Sequence, residues 1–449
     1  MGRLFGTDGA RGVANAEISC ELAMKIGRYT AVVLGTEKET PLRILIGTDT
    51  RRSADMLSNA IISGFCSAGC NVLHIGVVPT PAVAYLVRQY NYDAGVVISA
   101  SHNPFEYNGI KIFGSDGYKL PDEAEEQIEA YILDDVSAIT PKIGAQVGTV
   151  TYSPTAVNDY IKHLENAADA HFFGMRIAVD CANGAASKTA GELFGRLGAE
   201  CTLINCHPNG VNINKDCGSM HLEKLCEYVR ENKFDLGLAF DGDADRLLCA
   251  DENGNEVDGD KMIAVCAKYL KEKGALKANA VAVTVMTNMG MLKYLEQNGI
   301  RYEKTAVGDR YVLQRMLETG CNLGGEQSGH IIFSDYATTG DGEMTAVQLL
   351  NIIRASGKTL GQLASEIELY PQVLINVRVS ALGKLRLDED EEIKTAIAFA
   401  EEKLGNEGRV LVRASGTEPL VRVMLEGRDK KLTETLAQEI AQVVKERLI

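Results

Sequence analysis

The order strand, helix, glycine, strand occurs three times in this chain, and nothing else in the sequence constrains its fold as tightly. In the first copy Leu42–Gly47 reads as a strand, Ala54–Ala68 as a helix stopped by Gly69, and Asn71–Ile75 as a second strand. The second copy runs through Ile177–Asp180, a helix over Ser187–Leu197, Gly198 and Cys201–Ile204. The third runs through Ala280–Met286, a helix over Gly290–Gln297, Gly299 and Tyr302-Glu303. Glycine directly after a helix supplies the left-handed residue that ends it. Strand–helix–strand is a βαβ crossover, which implies parallel strands joined right-handedly. Each copy also closes alike. An apolar strand runs from Asp93-Ala94-Gly95 towards Ser101, from Asp235-Leu236-Gly237 towards Asp241, and from Cys321–Gly324 towards Glu326. A hairpin run follows: Ile110–Phe113 with a turn at Ser115-Asp116-Gly117, Leu247–Cys249 with a turn at Glu252-Asn253-Gly254, and Ile331–Phe333. Open α/β sheets bind ligands at the carboxyl ends of their strands, which is where these three polar loops fall.

The remainder reads differently. From Leu374 onward the pattern is strand, helix (Glu391–Lys403), strands (Arg409–Arg413 and Leu420–Glu426) and helix (Leu432–Leu448), a small α+β domain. The predicted fold is therefore α/β: three similar domains with mixed, mainly parallel sheets, plus a C-terminal α+β domain, around a central cleft. With linkers near Pro154, Gly259 and Pro371, the domains are 1–153, 154–258, 259–370 and 371–449.

Composition narrows the function. No apolar run reaches the length of a membrane span, and Met1–Asp8 lacks the apolar core of a signal peptide. The eleven cysteines contain no Cys-x-x-Cys pair, and Cys206-His207 with Cys217 and His221 fits no zinc spacing. They read as small core residues of a reducing, cytoplasmic protein. A net charge of −15 argues against a nucleic-acid surface. An anionic small substrate then requires positive charge concentrated at one site.

The polar loops carry the chemistry. His102-Asn103-Pro104 forces a turn after the strand Gly95–Ile98 and presents Ser101 at its end. Asp241, Asp243 and Asp245 stand at alternate positions after the apolar run Leu236–Phe240, so their oxygens can converge on one hard cation. The spacing resembles a calcium EF-hand, with Glu252 at the twelfth position. However, Arg246 occupies the sixth, where glycine is needed, and Leu247–Cys249 is strand-like. Three carboxylates underfill the six-fold shell of Mg²⁺ and leave room for a phosphate oxygen. A phosphate on Ser101 beside that ion would be a poised phosphoryl donor. Gly324–His330 is glycine-rich, with Glu326 and Ser328 placed to hold a polyol. Arg413-Ala414-Ser415-Gly416-Thr417-Glu418-Pro419 joins two strands and forms a phosphate nest, with Arg422 on the next strand. Together Arg11, Lys111, Arg246, Arg413 and Arg422 supply the cations that an acidic chain needs at such a site.

Ser99-Ala100-Ser101-His102-Asn103-Pro104, Asp241–Arg246, Gly325–His330 and Arg413–Pro419, in that order, resemble the four motifs of the α-D-phosphohexomutases, and the resemblance covers the whole chain. Phe5-Gly6-Thr7-Asp8-Gly9-Ala10-Arg11-Gly12 and Gln327 are similar to the bacterial amino-sugar members; glucose and mannose phosphate mutases more often carry Met where Gln327 stands. The resemblance implies an isomerase that converts glucosamine 6-phosphate to glucosamine 1-phosphate for UDP-N-acetylglucosamine and cell-wall precursors. It implies a phosphorylated Ser101, one Mg²⁺ held by Asp241, Asp243 and Asp245 with the Ser101 phosphate, and a sugar 1,6-bisphosphate as primer. Glu326 and Ser328 would hold sugar hydroxyls, and Arg413, Ser415, Gly416, Thr417 and Arg422 the non-reacting phosphate. Arg11, Lys111, Arg246 and His330 match positions near the transferring phosphate or its acid–base chemistry. A hexosamine phosphate is the expected partner, with neither nucleic acid nor membrane, in a monomer or homodimer.

Overall fold

The apolar runs assemble into four sheets in a computed structural model that describes residues 2–6, 8–35, 40–134, 140–415 and 419–449. The first sheet contains β1 (Ala10–Val13), β2 (Arg43–Thr48), β3 (Asn71–Val77), β4 (Ala94–Ile98), β5 (Tyr107–Gly114) and β6 (Val150–Tyr152), ordered β1-β5-β4-β2-β3-β6. The second contains β7 (Arg176–Asp180), β8 (Glu200–Ile204), β9 (Leu236–Phe240), β10 (Leu247–Ala250) and β11 (Glu256–Val257), ordered β11-β10-β9-β7-β8. The third contains β12 (Ala280–Thr284), β13 (Arg301–Thr305), β14 (Leu323–Gly325) and β15 (Ile331–Phe333), ordered β13-β12-β14-β15.

One plan underlies all three. The first parallel strand (β2, β7, β12) takes its crossover partner (β3, β8, β13) on one side and the loop-bearing strand (β4, β9, β14) on the other. The next strand (β5, β10, β15) then returns antiparallel. Burial follows from this order: β4, β9 and β12 are buried at every position, as central strands with both faces covered should be. In the first sheet Ile44, Ile46, Val96 and Ile98 pack with Ile26, Leu57, Ile61 and Phe65 of the helices Cys20–Gly35 and Ala54–Ser67. The glycine stops also behave as predicted: φ is +92° at Gly69, +80° at Gly198 and +63° at Gly299, conformations that side chains with a Cβ resist.

Some expectations change. The opening glycine-punctuated stretch is an edge strand, with Ala10–Val13 pairing antiparallel with β5. The helix expected over Ser187–Leu197 is split into a 3₁₀ turn, Ala185–Lys188, and a helix, Ala190–Arg196. Ala185 N donates to Gly242 O at 2.9 Å, which draws that turn onto the aspartate loop and breaks the helical path. The turn at Ser115–Gly117 leads only to an isolated bridge between Phe113 and Lys119. Near Gly259 the chain enters a helix directly (Gly259–Glu272), capped by Asp258, which accepts from Lys261 N.

Residues 1–286 with 300–366 form one compact unit and residues 287–299 with 367–449 another. The second unit holds an antiparallel sheet of β16 (Gln372–Arg378), β17 (Gly408–Ala414) and β18 (Leu420–Gly427), with β18 central. Its inward residues Val421, Val423 and Leu425 pack on Ile393 and Leu404 of the helix Glu391–Leu404 and on Leu436, Ile440 and Val444 of Lys430–Leu448. Among the described residues no helix is long and apolar enough to cross a membrane.

The helix Gly342–Ser356 in the first unit opens on two buried carboxyl groups. Asp341 accepts from Tyr160 Oη at 2.9 Å and from Met344 N at 2.9 Å, and Glu343 accepts from Thr189 Oγ1 at 2.6 Å. Burial pushes Asp341 up to about 7 and Glu343 up to about 8. From pH 4.5 to about 8 the folded chain keeps a proton on Glu343 that the unfolded chain has released, so this group makes stability fall as pH rises. Glu343→Gln should therefore stabilise the protein at pH 8 by roughly 1–3 kcal/mol and change little at pH 5. A melting-temperature difference from the parent that stays constant between those pH values would contradict this.

Candidate active site

Ser101, directly after β4, is buried and has φ of +52°, the left-handed region that side chains with a Cβ seldom occupy. Its Oγ donates to Asp241 Oδ2 at 2.6 Å and lies 3.4 Å from His102 Nδ1. Asp241 follows β9, so the carboxyl ends of equivalent strands in two sheets meet at this bond. Gly242 permits the approach: a Cβ there would sit 2.6 Å from Ser101 O.

Asp241, Asp243 and Asp245 are all buried, with one oxygen of each lying within 4.8 Å of the others. Asp243 Oδ2 accepts from Thr80 Oγ1 at 2.6 Å and Lys111 Nζ at 2.9 Å, and Asp245 Oδ2 accepts from Lys111 Nζ at 3.2 Å. Asp243 Oδ1 and Asp245 Oδ1 are buried and accept nothing. Burial, followed by the charges of Asp245 and Asp243, holds Asp241 well above the usual carboxylate range. Converging carboxylates with open buried oxygens are the donor set of a hard divalent cation, so this triad can hold one. The EF-hand alternative fails. The loop joins β9 to β10, and Glu252 turns away to Thr359 Oγ1 and to Gly361 N at 2.9 Å. Among the described residues, Cys206, His207, Cys217 and His221 form no metal-binding group.

A cationic network surrounds the triad. Lys111 Nζ is buried 3.1 Å from Asp8, which also pairs with Arg11 and, at 2.5 Å, with Lys119. Burial alone would lower Lys111; Asp243, Asp8 and Asp245 outweigh it and hold the ammonium well above its ordinary value. Burial would likewise raise Asp8, but Lys111, Lys119 and Arg11 hold it well below. Lys119 continues to Asp309, whose Oδ2 lies 3.7 Å from Nε2 of the buried His330. Arg246 N donates to Asp241 Oδ1 at 3.3 Å. Burial, then Arg246 and Arg11, pushes His102 down to about 4, so the imidazole is neutral at pH 7.

Thus Ser101, Asp241, Asp243, Asp245, Lys111, Arg11 and Arg246 converge in the first unit, with His330 reached through Asp8, Lys119 and Asp309. Glu326 and Ser328 lie in the tight turn between β14 and β15, where Glu326 Oε1 accepts from Gly308 N at 3.1 Å. Gln327 Nε2 donates to Asp258 Oδ2 at 3.3 Å. In the second unit Arg413 and Arg422 occupy directly opposed positions on β17 and β18, and Ser415 N donates to Leu420 O at 2.9 Å. Gly416 and Thr417 lie outside the described residues.

Sequence reasoning did not single out Asp8, Lys119, Asp309, Thr80, Asp49, Arg51 or Asn214. Thr48-Asp49-Thr50-Arg51 carried a usable signal, a polar loop at the carboxyl end of a strand, but read only as the end of β2. Lys119, Asp309 and Asn214 sit in no motif.

Four family descriptions match the chain in order: phosphoglucomutase/phosphomannomutase alpha/beta/alpha domain I at residues 2–138, domain II at 158–254, domain III at 258–370 and the C-terminal domain at 374–443. A phosphoglucosamine mutase from Ruminiclostridium cellulolyticum is 53% identical over 449 residues, covering 100% of both chains. One from Acetivibrio thermocellus is 52% identical over 448 residues, again covering 100% of both. The crystal structure of a phosphoglucomutase/phosphomannomutase family protein from Burkholderia thailandensis shares the fold, with a TM-score of 0.83 at 22% identity, covering 100% of this chain and 99% of that one. A thrice-repeated sheet plan, a serine held against an aspartate triad and full-length relatedness lead to one placement: the chain belongs to the phosphoglucomutase/phosphomannomutase family, the α-D-phosphohexomutases.

Proposed function

We propose that this chain interconverts glucosamine 6-phosphate and glucosamine 1-phosphate through a phosphoryl group carried on Ser101 and a sugar 1,6-bisphosphate. One observation carries the reading: the buried Ser101 hydroxyl is hydrogen-bonded to a triad that keeps two carboxylate oxygens open. Relatives just over half identical, matched end to end and named phosphoglucosamine mutase, support the choice of sugar. On this reading segments 1–153, 154–258, 259–370 and 371–449 each lend one loop. The free thiol state of all eleven cysteines fits a reducing cytoplasm.

Asp241, Asp243 and Asp245 would hold Mg²⁺, which when bound neutralises charge on the transferring phosphoryl group. In the first half-reaction the sugar's free hydroxyl oxygen bonds to phosphorus as the bond from phosphorus to Ser101 Oγ breaks; the sugar hydroxyl loses a proton and Ser101 Oγ gains one. Arg11, Lys111 and Arg246 would face the phosphoryl oxygens, and His330 would move the sugar hydroxyl's proton. The bisphosphate then turns end over end, and the reverse transfer returns its other phosphoryl group to Ser101. Glu326 and Ser328 would hold sugar hydroxyls in both orientations.

The non-reacting phosphate would rest on Arg413, Ser415, Gly416, Thr417 and Arg422. Like charges directly opposed across two strands repel, so Arg413 and Arg422 gain from an anion between them. Arg413→Ala is expected to raise KM for the sugar phosphate by about 10- to 100-fold, the worth of one charge-assisted phosphate contact, and to leave the Mg²⁺ midpoint unchanged. Steady-state kinetics at varied Mg²⁺ test it, and an unchanged KM would remove Arg413 from the site.

The substrate is tested by comparing kcat/KM for the 6-phosphates of glucosamine, glucose and mannose, with Mg²⁺ and a bisphosphate primer present. A strong preference for the amino sugar is expected. Equal or better turnover of glucose or mannose phosphate would transfer the chain to that branch of the family.

A further inference from the structure

The loop that carries Ser101 turns four backbone carbonyls inward, and one buried guanidinium meets them all. Arg51 Nη2 donates to Ser101 O and Asn103 O, each at 2.8 Å. Nη1 donates to Tyr107 O at 3.2 Å and to Pro104 O, while Nε donates to Asp49 Oδ2 at 2.8 Å. All five N–H donors of Arg51 are thus used, four of them on one loop. Asp49 Oδ2 also accepts from Ser99 Oγ at 2.7 Å, and Ser99 Oγ accepts from Ser101 N at 3.0 Å. A closed ring results, running from Arg51 through Asp49 and Ser99 to the N–H of Ser101 and from its C=O back to Arg51.

The second sheet's loops add a matching grip. Asn214 Nδ2 donates to Ser101 O at 2.8 Å and to Asn103 O at 3.1 Å, the two carbonyls already held by Arg51 Nη2. Asn214 is itself left-handed, with φ of +57°, and its N–H is tied to Ala182 O at 2.9 Å. Ala182 and Asn183, also left-handed, back this segment, and Thr50 Oγ1 donates to Asn183 O at 2.6 Å. Bonds that converge on the N–H and C=O of one strained residue over-determine its conformation, which is what a left-handed serine needs in order to persist.

We propose that Arg51 and Asn214 are positioning residues for the phosphoryl-carrying serine, a role that rests on the function proposed above. They lock the Ser101 peptide so that Oγ projects at Asp241 and the triad in every cycle. In-line phosphoryl transfer demands such fixity, because displacing a reacting atom by about 1 Å costs on the order of 100-fold in rate. Neither side chain contacts the Ser101 hydroxyl or a triad carboxylate through any bond described above. Their removal should therefore slow the transfer while leaving substrate affinity and the cation site in place.

Asn214→Asp in the full chain is the sharpest probe, because it keeps the shape and turns an oxygen towards the two carbonyls. Its kcat should fall by about 30- to 100-fold with KM within about twofold of the parent. Phosphoryl incorporation into Ser101 from a hexose 1,6-bisphosphate, followed by intact mass, should slow by the same factor. Asn214→Ala should fall between parent and Asn214→Asp. Arg51→Lys keeps the charge against Asp49 but loses the planar fork, and should show the same split between kcat and KM if Asn214→Asp does not fold. Variants that label Ser101 within twofold of the parent rate, or that lose activity only in proportion to folded protein, would overturn the assignment. If the parent itself takes up no phosphoryl group on Ser101, the proposed function fails and this role with it. If the parent labels and the variants label equally fast, the positioning role alone fails.

Discussion

Ser101→Ala is expected to yield a folded protein with turnover lowered by at least about 10⁴-fold and no phosphoryl uptake from a sugar bisphosphate. Losses of that order follow when a covalent catalyst loses its nucleophile while its binding groups remain. Stability should change little. The backbone of residue 101 is held through its N–H and C=O, which alanine retains, and the only hydrogen bond lost is the one to Asp241. A melting temperature within a few degrees of the parent, together with absent labelling, is the expected pair of results. Parent-like turnover in this variant would end the covalent reading.

Asp243→Asn is the second large effect. Asparagine can still accept from Thr80 and Lys111 through its amide oxygen, so the local packing should survive. Its NH₂ group would replace the open oxygen Asp243 Oδ1, putting a donor where a cation requires an acceptor. Mg²⁺ affinity should fall by on the order of 100-fold, about 3 kcal/mol, in a calorimetric titration, and turnover should fall with it at fixed Mg²⁺. Retention of parent Mg²⁺ affinity would remove Asp243 from the cation site. The two variants separate the roles: Ser101→Ala should still bind Mg²⁺ through the triad, whereas Asp243→Asn should not bind it tightly.

Both residues were legible because each ends an apolar strand in a repeated pattern. Ser101 and Asp241 occupy equivalent places after β4 and β9, and the pattern of β2, β7 and β12 with their crossovers marks those places without any knowledge of contacts. The short turn at Ala185–Lys188 and the edge strand at Ala10–Val13 were misread, because each takes its conformation from a distant partner. For Ala185 the partner is Gly242 O; for Ala10–Val13 it is β5. Local propensity contains no record of either.

By itself, then, the sequence determined the repeated α/β units, their parallel centres, the antiparallel returns and which loops carry a serine, an aspartate triad, a glycine-rich turn and an arginine nest. Periodicity and turn chemistry act within about a dozen residues, and such features are written at that range. The tertiary structure alone decided how charge and backbone are settled around Ser101. It paired Asp8 with Lys119 and Lys119 with Asp309, and it placed Arg51 and Asn214 on the same two carbonyls. Those partners lie 50 to 190 positions apart in the chain. A buried charge or carbonyl must find a partner, but the requirement is met by whichever segment the packing of the sheets brings near, and no local pattern names that segment in advance.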